Sequence, residues 1–415
     1  MREIIRKSAE YLVSRFEKDR SYGFIDTKFD IISGRDFDGS DPEFCRRDWI
    51  YGWIQGRGLE SLADHAGYFR RLGENDLADR LTDMAGRVLD KMESIRAANG
   101  GRLAFAMTPD GKNRFGENTP QGNFTDLFYS KGLFAAAGIT GNRQARSEAE
   151  KLFRLVTDDI AANRFRTDQH GFDPKNPVAF VPGKFPQGPR MIALYGLARF
   201  AAAEMGDFYL DTAADFIRYI FEYHINRGKY RDLADFDFVE SVDSDGNAWD
   251  DGGRILCDPG HALEFAGLAA KCLLEMQKQG RHSDLVAGSG RILPELFRHT
   301  FDLGFQNAGG IVKSFDLVSR RAVNSDMPWW SLPETIRAGV EIMALYPGYS
   351  DGIAARVDAA GKSFRKFLDC GCHGFACQTR NSQGEAVRVI PAVPDADPGY
   401  HTNLSLIDAL SLHTF

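Results

Sequence analysis

The sequence contains no uninterrupted apolar stretch near the ~20 residues that would span a bilayer, and no glycine-rich loop of the kind that cradles phosphate. Both absences are read directly from the chain. Its basic residues never gather beyond doublets such as Arg46-Arg47 and Arg320-Arg321, and the net charge is −7. Nucleic-acid binding needs a clustered basic surface, so this distribution speaks against it as the main partner. The start of the chain, Met1-Arg-Glu-Ile-Ile-Arg-Lys, enters an amphipathic pattern at once, without the charged segment and apolar core of a signal peptide. Cysteine is sparse, with six in 415 residues: Cys45, Cys257, Cys272, Cys370, Cys372 and Cys377. The Cys370-x-Cys372-His373-x-x-x-Cys377 cluster lacks the spacing of a zinc finger or ribbon, and no second ligand pair lies nearby. The expectation is a cytoplasmic, reduced protein whose cysteines are structural thiols and not metal ligands.

Helical periodicity is plentiful. Apolar residues recur at helical spacing over Tyr51–Gly73, Leu127–Gly141, Met191–Gly206, Ala262–Gly280 and Thr335–Gly348. A final helix is expected from Leu404 to Phe415. The terminal glycines fall roughly 65 to 75 residues apart, a spacing that suits a helical repeat carrying loop insertions. Between these segments lie more polar ones: Ile4–Asp19, Leu77–Ile95, Arg146–Asp158, Tyr209–Ile225, Ser283–His299 and Ile353–Leu368. Helices apolar nearly all round belong to a core, and the intervening ones to an outer layer. The predicted fold is therefore all-α, an (α/α)6 toroid of about six helical hairpins, with residues 1–415 forming one domain. Short β-like pieces are confined to loops: one at Gly101–Ala106, and a hairpin of Ala376–Arg380 and Glu385–Ile390 turning at Asn381-Ser-Gln-Gly.

Counting back about four turns from each terminal glycine leads to a polar residue at the start of each core helix. These are Arg57, Asp126, Arg190, His261 with Glu264, and Glu334, while Tyr400-His401 precedes the last helix. Capping accounts for Asp126 and for Glu264. It does not account for Arg57, Arg190 or His261, because a cation near a helix start is electrostatically unfavourable. In a toroid these positions meet at one mouth. Tyr51, Trp53 and the Trp329-Trp330 pair accompany them, and aromatic faces with a few charged groups suit sugar rings.

The motifs resemble those of the N-acylglucosamine 2-epimerase superfamily. Asp258-Pro-Gly-His-Ala-Leu-Glu-Phe265 resembles its Pro-Gly-His-x-x-Glu-Trp signature. Gln55-Gly-Arg57, Trp330-Ser-Leu-Pro-Glu334 and Gly399-Tyr-His401 resemble three further motifs in the same order along the chain. The resemblance implies an α/α barrel with no redox cofactor or catalytic metal, assembled as a homodimer. It implies a sugar epimerase or aldose–ketose isomerase working through an enediol, with His261 and His401 as acid/base pair. Arg57, Glu264 and Glu334 would bind substrate or orient the histidines, and Tyr51, Asp126, Arg190 and Trp330 would line the pocket. An imidazole with an ordinary pKa near 6.5 suits removal of the proton α to a carbonyl. Glu264, one turn beyond His261, is expected to fix its tautomer. Ile192 stands where members of the family commonly carry another histidine, which puts the identity of the sugar in question. The same fold hosts glycoside hydrolases, polysaccharide lyases and non-catalytic sugar binders, and these are the competing readings.

Overall fold

The computed structural model describes residues 1–116, 118–172, 178, 180–203, 206–389 and 393–412. Among them are twelve α-helices: α1 (Arg2–Lys18), α2 (Gly52–Arg71), α3 (Asn75–Ala98), α4 (Phe124–Thr140), α5 (Arg143–Ala161), α6 (Gly188–Ala202), α7 (Phe208–Tyr223), α8 (Pro259–Lys278), α9 (Ser283–Gly304), α10 (Ser331–Leu345), α11 (Ser350–Asp369) and α12 (Thr402–Leu412). Every helical segment expected from periodicity is present, and the strands are short pieces in the connections. The end of the last expected helix, including His413, lies outside the described residues, as does Ile390 of the hairpin. Among the described residues, no helix is long and apolar enough to cross a membrane.

The chain packs as two compact units. The first comprises Met1–Phe180, Leu368–Cys377 and Val389–Ile407; the second comprises Val181–Phe367, Gln378–Arg388 and Asp408–Phe415. In the first unit α2 packs on α4, with α3 and α5 against them. In the second, α8 packs between α6 and α10, with α7 and α9 alongside. The contrast between core and outer helices follows the sequence. In α4 every residue from Thr125 to Ala137 is buried, whereas α5 buries the stripe Ala145, Ala149, Leu152, Phe153, Val156 and Ile160. A helix with one apolar stripe covers a core, and one buried all round lies within it. The approach of α2 to α4 depends on glycine: a Cβ on Gly132 would lie 2.1 Å from the Gly56 carbonyl oxygen.

Two expectations need correction. Gly141 caps α4 with φ +71°, a left-handed conformation that glycine adopts without steric cost, but Gly348 does not end a helix in this way. α10 stops at Leu345, and Pro347–Tyr349 form a 3-10 turn, because Pro347 interrupts the α-helical hydrogen bonding. The cysteines are also not all free. Cys370 and Cys377 form a disulfide with Cα atoms 5.7 Å apart, leaving Cys45, Cys257, Cys272 and Cys372 as thiols. The turn after α11 makes this pairing feasible by folding residue 370 back on residue 377, a separation invisible to spacing rules. His373, the other member of that cluster, stacks on Tyr11 with ring centroids 3.9 Å apart. The expected hairpin forms: Gly384 N–H donates to Asn381 O, Val387 N–H donates to Thr379 O, and Thr379–Arg380 pairs with Met327–Pro328 ahead of α10.

Candidate functional site

In the second unit the starts of α6, α8 and α10 converge. α8 begins at Pro259, whose fixed φ suits the first helical position. Asp258 caps it, accepting from the backbone N–H groups of Gly260 (3.0 Å) and His261 (3.4 Å). Gly260 is required by its neighbour, since a Cβ there would lie 2.7 Å from the Trp330 ring. The Pro-Gly-His stretch and the Trp330 stretch therefore lock together, and the His261 ring stacks on Trp330 at 5.3 Å and 30°. His261 Nδ1 lies 2.9 Å from Glu240 Oε1 and 3.6 Å from Asp258 Oδ2. Gln187, just ahead of α6, braces the same carboxylate: its Nε2 donates to Glu240 Oε1 at 3.4 Å, and its backbone N–H donates to Glu240 O at 3.1 Å. The His261 side chain stays 29% exposed, and its other nitrogen, Nε2, has no hydrogen bond among the described residues.

The partner of His261 corrects the expectation built on Glu264. Side chains on a helix lean toward its N-terminus. A histidine in the first turn therefore leans off the helix end onto the segment before it, where Glu240 stands. Neither Glu240 nor Lys313 was singled out from the sequence, yet both belong to this cluster. Lys313 Nζ donates to Asp258 Oδ2 at 2.6 Å and lies 5.5 Å from the Trp330 ring centroid. The one available signal for Glu240 is a carboxylate set among the apolar residues Phe238, Val239 and Val242.

The electrostatics follow from this packing. Burial works against a charged imidazole, but Asp258 and Glu240 outweigh it and lift His261 to about 9, with Lys313 opposing them. His261 is thus an imidazolium at neutral pH and not the largely neutral base expected from an ordinary histidine. Burial works against Lys313 too, yet Asp258, Glu240 and Glu264 hold its ammonium above the ordinary lysine range. Asp258, despite burial, is held low by His261 and Lys313.

The other expected site residues of this unit are buried. Glu264 and Glu334 are 3% and 1% exposed. Glu334 pairs with Arg337 one turn along α10. Arg337 Nη1 lies 3.6 Å from Asp408, which also accepts from Lys271 at 2.6 Å. Glu341 joins this group, and burial pushes its carboxyl up to about 8. Arg190 lies with its guanidinium 3.7 Å from the Tyr219 ring centroid on α7, and burial lowers its pKa.

In the first unit a second set gathers at the starts of α2, α4 and α12. The Arg57 guanidinium sits over Phe128 (4.1 Å), Tyr400 (5.1 Å) and Trp53 (5.4 Å). Tyr400 Oη accepts from Lys131 Nζ at 2.5 Å. Asp397 caps α12, accepting from Tyr400 N and Thr402 N, and this fixes the turn that carries His401. The His401 ring lies 5.0 Å from Tyr400 at 89°. Tyr51 is fully buried, its hydroxyl donating to Phe44 O and its ring lying 4.4 Å from Lys28 Nζ. Asp126 is not the cap of α4. Asn123 is, accepting from Asp126 N, while the Asp126 carboxylate pairs with Arg102. Burial, with Asp168 adding to it and Arg102 opposing, brings Asp126 to about 7.

The fold recurs among solved structures. A cellobiose 2-epimerase from Bacillus thermoamylovorans B4167 matches with TM-score 0.71 and 12% identity, covering 99% of this chain and 98% of that one. A sugar epimerase from a ruminal bacterium matches at 0.70 and 12% over 98% and 97%, and a D-mannose isomerase at 0.67 and 14% over 97% of each. At these identities the likeness shows the fold, the α/α class expected from the helical repeat. A search of curated proteins by sequence finds no match. The family profile of N-acylglucosamine 2-epimerase matches residues 70–403, and the chain belongs to that family. Membership makes it an isomerase-type enzyme.

Proposed function

We propose that the protein interconverts sugar stereoisomers, or an aldose and its ketose, by proton transfer through an enediol, with His261 and His401 as the acid/base pair. The observation that carries this reading is the setting of His261: Nδ1 lies 2.9 Å from Glu240 Oε1, the ring stacks on Trp330, and the side chain stays 29% exposed.

In the open-chain sugar, a base takes the proton from C2. The C–H electron pair becomes the C1=C2 bond, and the carbonyl oxygen gains the negative charge. Returning a proton to the opposite face of C2 gives the epimer, and returning it to C1 gives the ketose. A histidine charged at rest starts as the acid, so His261 is assigned the donor role and His401 the base. Glu240 prevents His261 from presenting the wrong tautomer and steadies its charge. Arg57, Glu264 and Glu334 are assigned to the sugar hydroxyls, and Trp330 to a sugar face.

The reading is tested by incubating the enzyme with aldoses, ketoses, sugar acids and reducing disaccharides and following anomeric signals by NMR. The expected outcome is a new epimer or ketose from at least one neutral sugar. Cleavage of glycosidic bonds without isomerisation would replace this reading with that of a hydrolase or lyase.

A further inference from the structure

Lys313 enters the cluster from outside the helical repeat. It precedes the strand Ser314–Asp316, which pairs with Leu256–Cys257, the strand leading directly into Asp258-Pro-Gly-His261. Its backbone N–H donates to Asp326 O at 2.8 Å, which fixes the base of the side chain. The side chain extends past Trp330 to Asp258 and is still 39% exposed. Lys313 and His261 thus lie against the same indole, both partly open to solvent, while Asp258 beneath them is 7% exposed. An ammonium has three N–H donors, and one is used on Asp258.

We infer that Lys313 is a further catalytic residue of this site, donating a hydrogen bond to the sugar oxygen that becomes negative when the enediolate forms. The inference rests on the proton-transfer reading given above. As C2 loses its proton and the C1=C2 bond forms, charge collects on the former carbonyl oxygen, and a fixed cation beside it stabilises that state more than the ground state. No bond to Lys313 is made or broken. Three carboxylates, Asp258, Glu240 and Glu264, act on its ammonium, and it in turn acts on His261.

The test uses Lys313→Met in the full chain, with the sugar turned over by wild type. Turnover should fall about 100-fold, the scale of removing one donor to a developing oxyanion, and Lys313→Arg should recover part of it. Lys313 opposes the charge on His261, so the His261 imidazole, followed by NMR titration in the same variant, should titrate at higher pH than in wild type. Turnover within about twofold of wild type, or an unmoved titration, overturns the inference. If Lys313→Met fails to fold, Lys313→Gln carries the same test. Should Lys313→Met stay active while His261→Asn is dead, the inference alone falls. Should His261→Asn stay active, the proton-transfer reading falls with it.

Discussion

His261→Asn and His401→Asn should each fold as wild type does and each lose about 1,000-fold in turnover, the middle of the range for removing a general acid or base. Asn in place of His261 keeps a polar group facing Glu240, so the capped start of α8 survives. Thermal unfolding should therefore shift by only a few degrees. The double variant should be scarcely slower than either single one, because residues that act as a unit in one reaction lose their effect together. Turnover and circular dichroism on the same preparations check this. A sugar-binding relative without catalysis would show no turnover to lose, and its ligand affinity would survive both changes.

The second large effect is expected at Glu240. It is held by Gln187 and holds Nδ1 of His261, and with Asp258 it raises the imidazole to about 9. In Glu240→Gln the carboxylate's contribution is lost while burial and Lys313 still disfavour the charge. The His261 pKa must then fall. Activity that needs the imidazolium is present below that pKa and is lost as pH rises through it. The alkaline limb of the pH–rate profile should accordingly lie near pH 9 in wild type and move toward neutrality in Glu240→Gln, with turnover at pH 7 down by 10- to 100-fold. Lys313→Met is expected to move the same limb the other way. The sign also bears on stability. A histidine raised in the folded state stabilises it fully below its ordinary pKa, and that contribution is lost as pH rises from about 6.5 to 9. Glu240→Gln should narrow this window from its alkaline side. A limb that stays put in Glu240→Gln would separate Glu240 from the chemistry.

What the sequence revealed and what it hid divide along one physical line. Helix starts and the register of core helices are local patterns, and they led to His261, Glu264, Glu334, Arg57 and His401 without any coordinates. Glu240 and Lys313 lie in irregular connections, and their bonds to His261 and Asp258 cross 21 and 55 residues of sequence. No periodicity encodes such a pairing. The same reason hid the Arg102 partner of Asp126 and the Tyr219 platform of Arg190, and it misassigned the carboxylate behind His261 to the nearest one along the helix. Metal-ligand spacing says nothing of Cys370 and Cys377 as a pair; the fold-back after α11 brings them together.

The central claim is that a proton leaves C2 and another returns from a protein acid in exchange with water. The most direct test is turnover in D₂O with the sugar identified by the substrate screen, stopped early and read by NMR and mass spectrometry. The account predicts epimer carrying one deuterium at C2, or ketose carrying deuterium at C1, with wild type and neither in His261→Asn. Epimer formed at the wild-type rate with its original hydrogen retained at C2 would mean that the hydrogen was not exchanged between two histidines on opposite faces, and would contradict the account.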